Sequence, residues 1–148
     1  MRRLPGSLIG LLTAGVLLAP AGAATDPRRT RLARSLAAVE AHEARLRDRV
    51  EQGATDLGVT VRSRAARRTP TLLLTFEDVP GVEAADAYRF LAGLGVNAPA
   101  SHFYAVHASR HLGLGDTGGL RVGISPYTDD EDVDRLLDGL GRLVTGPR

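Results

Sequence analysis

Apolar and polar residues follow two different periods along this chain, and each period predicts a different kind of element. The stretch 120–125, LRVGIS, alternates apolar and polar residues, which is typical of a strand with one buried face. Residues 71–76, TLLLTF, are almost wholly apolar and predict a central strand. Two shorter strands are predicted at 59–61 and from Val96 onward.

Four other segments carry apolar residues at helical spacing. The first runs over 26–52, with an apolar stripe beside faces rich in Arg and Glu. The second covers 82–94, and a loop with a short helix follows over 97–113. The last begins after Thr128, which forms a capping-box pattern with Glu131 and is followed by a run of acidic residues favoured at a helix N-terminus.

The resulting order is α-β-β-α-β-α-β-α. It predicts an α+β fold, a small mixed β-sheet covered by helices, with a long N-terminal helix. The 148 residues suffice for one ordinary domain with a core, and we place it at 26–148. Residues 1–25 form a separate apolar N-terminal segment.

That N-terminal segment has the form of a secretory signal. It has a basic start, an apolar run over 8–19 and an A-x-A-like end at 21–23, so the mature chain would begin near Ala24 or Thr25. The run is short for a membrane-spanning helix, and no membrane span is expected. An ordinary buried helix is the other interpretation, and both stay open on form alone.

The composition excludes several kinds of chemistry. The chain contains neither Cys nor Lys, which excludes disulfides, a cysteine nucleophile and a Schiff base on a side chain. Charge is uneven: residues 28–68 hold eleven Arg against five acidic residues, and 77–140 hold eleven acidic residues against four Arg. Because no aromatic residues alternate with these Arg residues, we expect two faces of one domain and no nucleic-acid partner.

Two motifs between residues 107 and 118 have simple structural explanations. Gly113, Gly115 and Gly118 match the spacing of a dinucleotide-binding motif, but a strand follows them and a helix does not, so we predict a glycine-rich turn. His107 and His111 are four residues apart, yet no acidic third ligand is evident nearby, and no metal site is expected.

Ser101 and His102 are neighbours without a nucleophile-elbow motif around them, and no catalytic residue is assigned.

Arg121 is a stronger candidate for a binding residue because it interrupts an apolar strand between Leu120 and Val122. On an edge strand it would point to solvent. In a cleft, its planar guanidinium would bind a carboxylate through two hydrogen bonds. The pattern itself leaves both interpretations open.

Four segments resemble, in order, the C-terminal small domain of class V aminotransferases. The resemblance is strongest to the cysteine desulfurase-like branch of these pyridoxal-phosphate (PLP)-dependent enzymes. It extends from about Arg28 to Leu143. The segments are RRTRLARSLAAVEAHEARL, ARRTPTLLLTFEDV, YRFLAGLGVNAPASHFYAVHASRHLGL and GGLRVGISPYTDDEDVDRLLDGL. The apolar LPGSLIGLLTAGV also resembles the helix that precedes the linker helix in that family, which favours a cytoplasmic chain over an exported one.

The resemblance implies specific roles. The long first helix would link the small domain to a large domain. Arg121 would bind the α-carboxylate of an amino-acid substrate, and Asn97, His102 and Tyr104 would lie in a loop that approaches the active site.

The chain also departs from the family pattern. In the family a large domain supplies the cofactor-binding Lys, and desulfurases use a Cys, whereas this chain has neither residue. We therefore expect a truncated small domain that holds no PLP covalently and is inactive alone. It would need a PLP-binding large domain as partner, or would self-associate. The alternative is an exported, secreted small α+β binding or interaction protein.

Overall fold

The computed structural model describes residues 25–62 and 65–146, and its elements follow the predicted order. The helices are α1 (Arg28–Asp56), α2 (Ala84–Gly93), α3 (Val106–His111) and α4 (Asp130–Thr145). The strands are β1 (Thr60–Val61), β2 (Thr71–Thr75), β3 (Ala100–Ser101) and β4 (Gly119–Gly123). The expectations for the N-terminal segment, a signal peptide or a buried helix, fall on residues 1–24, outside the described residues.

The four strands form one sheet in the order β1-β2-β4-β3, and every neighbouring pair is antiparallel. The α+β class is confirmed, but the described sheet is antiparallel where the sequence predicted a mixed one. The reason lies in the connection through α2. This helical connection makes β2 and β3 parallel to each other, as a crossover does. The two strands are not neighbours, however, because β4 lies between them and pairs antiparallel with both.

The core lies between one face of this sheet and helices α1, α2 and α4. Alternation along the two central strands turns Leu72 and Leu74 of β2, and Leu120 and Val122 of β4, into that core. The helices contribute a matching set of buried residues, among them Leu46, Val50, Leu91, Val133 and Leu140. Truncating one of the fully buried Leu side chains to Ala typically costs about 2–5 kcal/mol.

Val96 does not begin a strand, contrary to the sequence prediction. Its backbone N–H donates to Leu91 O at 3.0 Å, and the N–H of Gly95 donates to Ala92 O at 3.0 Å. Gly95 has a φ of +78°. This is the arrangement of a Schellman motif, which uses Val96 to end α2. The strand therefore starts later, at Ala100.

The cap of α4 is one residue later than predicted. Asp129 is the N-cap, its carboxylate accepting from the Asp132 N–H at 2.9 Å, while the Asp132 carboxylate accepts from the Asp129 N–H at 3.3 Å. Thr128 is engaged in the preceding turn, where its hydroxyl oxygen accepts from the Ser125 N–H at 3.1 Å. The capping box is real, but Asp129 and Asp132 form it.

Part of the uneven charge is neutralised within the domain, because the basic helix α1 lies against the acidic start of α4. Arg45 donates to both carboxylate oxygens of Asp130, at 2.8 and 3.0 Å. Arg49 pairs with Asp130 and with Asp134. These pairs are exposed, so water and salt screen them and each contributes little to stability.

Candidate functional site

The face of the sheet opposite the core carries the candidate site. Leu73 of β2 and Arg121 of β4 lie on this outer face and are direct cross-strand partners. Helix α3 and the loop before it cover part of the face. The space between them, which we call the outer groove, measures about 330 Å³, within the range of small-molecule sites. Its lining includes Leu73, Phe103, Ala108, Leu112, Leu114 and Arg121.

Arg121 does not lie on an edge strand. Its N–H donates to Pro99 O at 2.9 Å on one side, and on the other side it pairs with Leu73. Strand β4 thus lies between β2 and β3. The edge position expected for Arg121 is therefore wrong, but its side chain is exposed, as that interpretation also predicted, and it lines the groove.

The guanidinium of Arg121 stacks on the ring of Phe103, with 4.1 Å between its central carbon and the ring centroid. Within the described ranges, no hydrogen bond or ion pair engages this side chain. Stacking covers one flat face of the guanidinium and leaves its in-plane N–H donors free. Arg121 is thus oriented and available for a bidentate contact with a planar anion such as a carboxylate.

The loop before α3 holds the Phe103 ring in place. Phe103 and Tyr104 have φ values of 48° and 66°, in the left-handed region that costs non-glycine residues about 1–2 kcal/mol each. Three local bonds hold them there. The Phe103 N–H donates to Ser101 Oγ at 3.3 Å, the Tyr104 N–H to His102 Nδ1 at 3.1 Å, and the Ala105 N–H to His102 O at 2.8 Å. A strained, locally bonded loop of this kind is typical of functional sites.

Gly118 allows the loop to approach the sheet closely. A Cβ on Gly118 would lie 2.1 Å from Ser101 O, and its φ is +73°. Gly113 and Gly115 also have positive φ, and β4 follows them. The glycine motif is thus the predicted turn.

Two cations line the outer groove, and they differ in their partners. Arg62 is engaged: it forms an ion pair with Glu77, and its Nε donates to Thr75 Oγ1 at 3.3 Å. Arg121 has no such acid among residues 25–62 and 65–146. The positive charge available to a ligand in the groove is that of Arg121.

The acidic residue near the groove is also paired. Arg110 donates to both oxygens of Asp116, at 2.7 and 3.0 Å. These bonds hold the pKa of Asp116 below its usual value. Asp116 in turn raises the pKa of Arg110. Because Asp116 is taken by Arg110, it does not compete for Arg121.

The structure brings together only some of the residues predicted for the site. His102 lines the outer groove with Arg121. Tyr104 is fully exposed beside it. Asn97 lies in a different cavity of about 290 Å³ near the start of α4. The sequence analysis did not identify Phe103. The only sequence signal for this residue is that it is an aromatic residue in the loop before α3.

Other kinds of site find no support in the described part of the chain. His107 and His111 are exposed, and no group of three metal-ligating side chains comes together among residues 25–62 and 65–146. In those same ranges, no helix combines the length and the apolar character that crossing a bilayer requires.

Comparison with known proteins bears on this fold and groove. The chain is 35% identical over 103 residues to a protein of Pseudomonas putida described as a probable cysteine desulfurase. The match covers 70% of this chain and 24% of that protein. The chain thus spans about a quarter of the length of its curated relative. No family model matches the sequence.

Solved structures give the same picture of the fold. A cysteine desulfurase of Thermococcus onnurineus superposes with a TM-score of 0.69 at 22% identity, covering 81% of this chain and 29% of that one. The cysteine desulfurase CsdA of Escherichia coli gives 0.61 at 24% identity, covering 81% and 31%. A NifS-like protein gives 0.59 at 22% identity, covering 84% and 35%. The predicted resemblance to cysteine desulfurase-like proteins is confirmed.

Proposed function

We propose that this chain is the small-domain part of a PLP-dependent, class V aminotransferase-like enzyme, and that it binds the α-carboxylate of an amino-acid substrate. The similarity to cysteine desulfurases supports the enzyme class. The single observation that carries the site is Arg121, a guanidinium oriented by Phe103 and without an acidic partner among the described residues.

The geometry of the groove supports carboxylate binding in a simple way. Two in-plane N–H groups of Arg121 donate to the two carboxylate oxygens, and such charge-assisted bonds contribute about 1.5–3 kcal/mol. His102 lines the same groove and offers its Nε2 side, since Nδ1 accepts from the backbone. A substrate that also reached Tyr104 or Asn97 would extend beyond the outer groove.

The cofactor of the resembled family does not fit this chain as a covalently held group. No Lys is present in the sequence, so no side chain here can bind PLP covalently. In our proposal the cofactor lysine lies on a PLP-binding large domain, and residues 26–148 pack against it as the small domain. Without that partner the chain is inactive and self-associates through its uncovered apolar surface.

Carboxylate binding is tested by titrating the full chain with acetate and following backbone amide shifts by NMR. We expect shifts around β4 and the loop before α3, and their loss in Arg121→Gln. Arg142→Gln is the matched control, because Arg142 also lies over an aromatic ring, at 5.5 Å from that of Phe90, outside the outer groove. Acetate shifts that persist unchanged in Arg121→Gln would overturn the proposal.

The proposal that the chain is inactive without a partner is tested by incubating the full chain with PLP and either L-cysteine or L-alanine. We expect no more sulfide or pyruvate than PLP produces without protein. Release of either product in proportion to protein would contradict this part of the proposal. Sizing chromatography tests self-association, and a monodisperse monomer would count against it.

A cytoplasmic location completes the proposal, and the comparisons do not favour the exported binding protein. N-terminal sequencing of the mature product distinguishes the two. An intact Met1 agrees with the cytoplasmic chain, whereas a start near Ala24 or Thr25 would show processing for export.

A further inference from the structure

Several polar groups that line the outer groove beside Arg121 are engaged with the protein itself. Ser109 Oγ donates to Gly115 O at 2.7 Å, and Ser101 Oγ accepts from the loop backbone. Arg62 is neutralised by Glu77. A ligand therefore meets one cation that has no acidic partner among the described residues, and its other free polar partners are His102 Nε2 and the hydroxyls of Thr69 and Thr71.

The remaining wall of the groove is apolar and comes from two directions. Leu73 rises from the sheet beside Arg121, and Ala108, Leu112 and Leu114 come from α3 and the turn after it. Leu112 is 41% exposed, so a ligand seated there would cover apolar surface that otherwise contacts water.

We infer that the carboxylate bound by Arg121 carries an apolar substituent of about the size of a leucine or phenylalanine side chain, which packs on Leu73 and Leu112. The inference rests on the proposed carboxylate site and adds the class of ligand. A second charge on the ligand would be placed against the apolar wall, where no unpaired cation among the described residues receives it.

Hydrophobic burial gives the expected size of the effect. Each methylene that moves from water into the groove tightens binding by about fourfold. A branched five-carbon tail in place of a methyl group, even partly buried, therefore increases affinity by about tenfold or more.

The test compares three carboxylates on the full chain by NMR titration: acetate, 4-methylpentanoate and glutarate. We expect 4-methylpentanoate to bind at least about tenfold more tightly than acetate, and glutarate to gain no such advantage. Equal Arg121-dependent affinity for acetate and 4-methylpentanoate, or tightest binding of glutarate, would overturn the inference and leave the proposed carboxylate site standing. Absence of binding for all three would overturn both.

Variants locate the apolar contact. Leu112→Ser should reduce the preference for 4-methylpentanoate over acetate several-fold, because it removes apolar surface on which the longer tail packs. Leu36→Ser is the matched control, because Leu36 is 65% exposed on α1 and does not line the groove. Ala108→Ser adds a hydroxyl at an exposed helical position and should lower the same preference if Leu112→Ser disturbs α3. An unchanged preference in both groove variants would contradict the assignment.

Discussion

Leu73 and Arg121 face each other across the β2–β4 ladder, so the charged and the apolar parts of the outer groove rise from adjacent positions on one rigid surface. In antiparallel strands such partners lie about 4.5–5.5 Å apart at Cβ. Sheet geometry thus sets the separation of the points from which the Arg121 and Leu73 side chains start. The loop before α3 then determines only how the guanidinium is oriented.

Removing the Phe103 ring should weaken carboxylate binding without abolishing it. In Phe103→Leu the guanidinium loses a stacking contact of about 0.5–1 kcal/mol and samples more orientations, so we expect acetate to bind about two- to fivefold more weakly by NMR titration. Phe90→Leu is the control, since it removes the ring beneath Arg142 instead. Equal affinities in Phe103→Leu and the unmodified chain would show that stacking does not orient Arg121.

Gly118→Ala should destabilise the domain more than Gly113→Ala. Both positions have positive φ, +73° and +78°, and both variants incur backbone strain of about 1–2 kcal/mol. Only at Gly118 would the new Cβ also meet backbone, 2.1 Å from Ser101 O, whereas nothing lies within 4 Å at Gly113. Urea unfolding measures the difference. Equal midpoints would mean that the loop can move away from β4 at no cost.

The capping box at α4 gives a local prediction. Asp129→Ala should lower the free energy of unfolding by about 0.5–2 kcal/mol and speed hydrogen exchange at the Asp132 amide. Thr128→Ala should leave that amide protected, because the Thr128 hydroxyl bonds to Ser125 instead. If Thr128→Ala sped exchange at the Asp132 amide and Asp129→Ala did not, Thr128 would be the N-cap.

Asp116 provides a pH-dependent test near the groove. The bonds from Arg110 lower the pKa of Asp116, so its stabilising effect is present above the usual carboxyl pKa and is lost as pH falls through the lowered value. Arg110→Gln should raise the pKa of Asp116 towards its usual range, measured by carboxyl-carbon NMR. Arg135→Gln, which removes an exposed partner of Asp132, should leave it unchanged. A pKa of Asp116 that does not rise would contradict the pairing.

The sequence predicted the type and order of the described elements, and the pattern was strongest in the long helices and in the alternating strand β4. It failed where local and tertiary bonds compete for the same residue. Val96 has the apolar character of a strand residue, but the end of α2 uses its N–H. Thr128 matches a capping residue, yet the preceding turn engages its hydroxyl and Asp129 takes the cap.

The sequence identified Arg121 as a candidate and indicated much less about the residues around it. An Arg within an apolar strand left two interpretations open, because deciding between an edge and a central position requires the strand order, which periodicity does not give. The position of the Phe103 ring depends on a left-handed backbone at two non-glycine residues, and no simple sequence pattern predicts that conformation. Asn97 lies only a few residues before the loop, but strand β3 separates them and Asn97 lines another cavity.

The position of β4 has a consequence for how the molecule is made. It is the last of the four strands along the chain, yet it lies between β2 and β3. The edges of β2 and β3 that face each other therefore have no strand to pair with until residues 119–123 have been synthesised. Arg121 belongs to that final strand, so the sheet and the proposed carboxylate site are completed together.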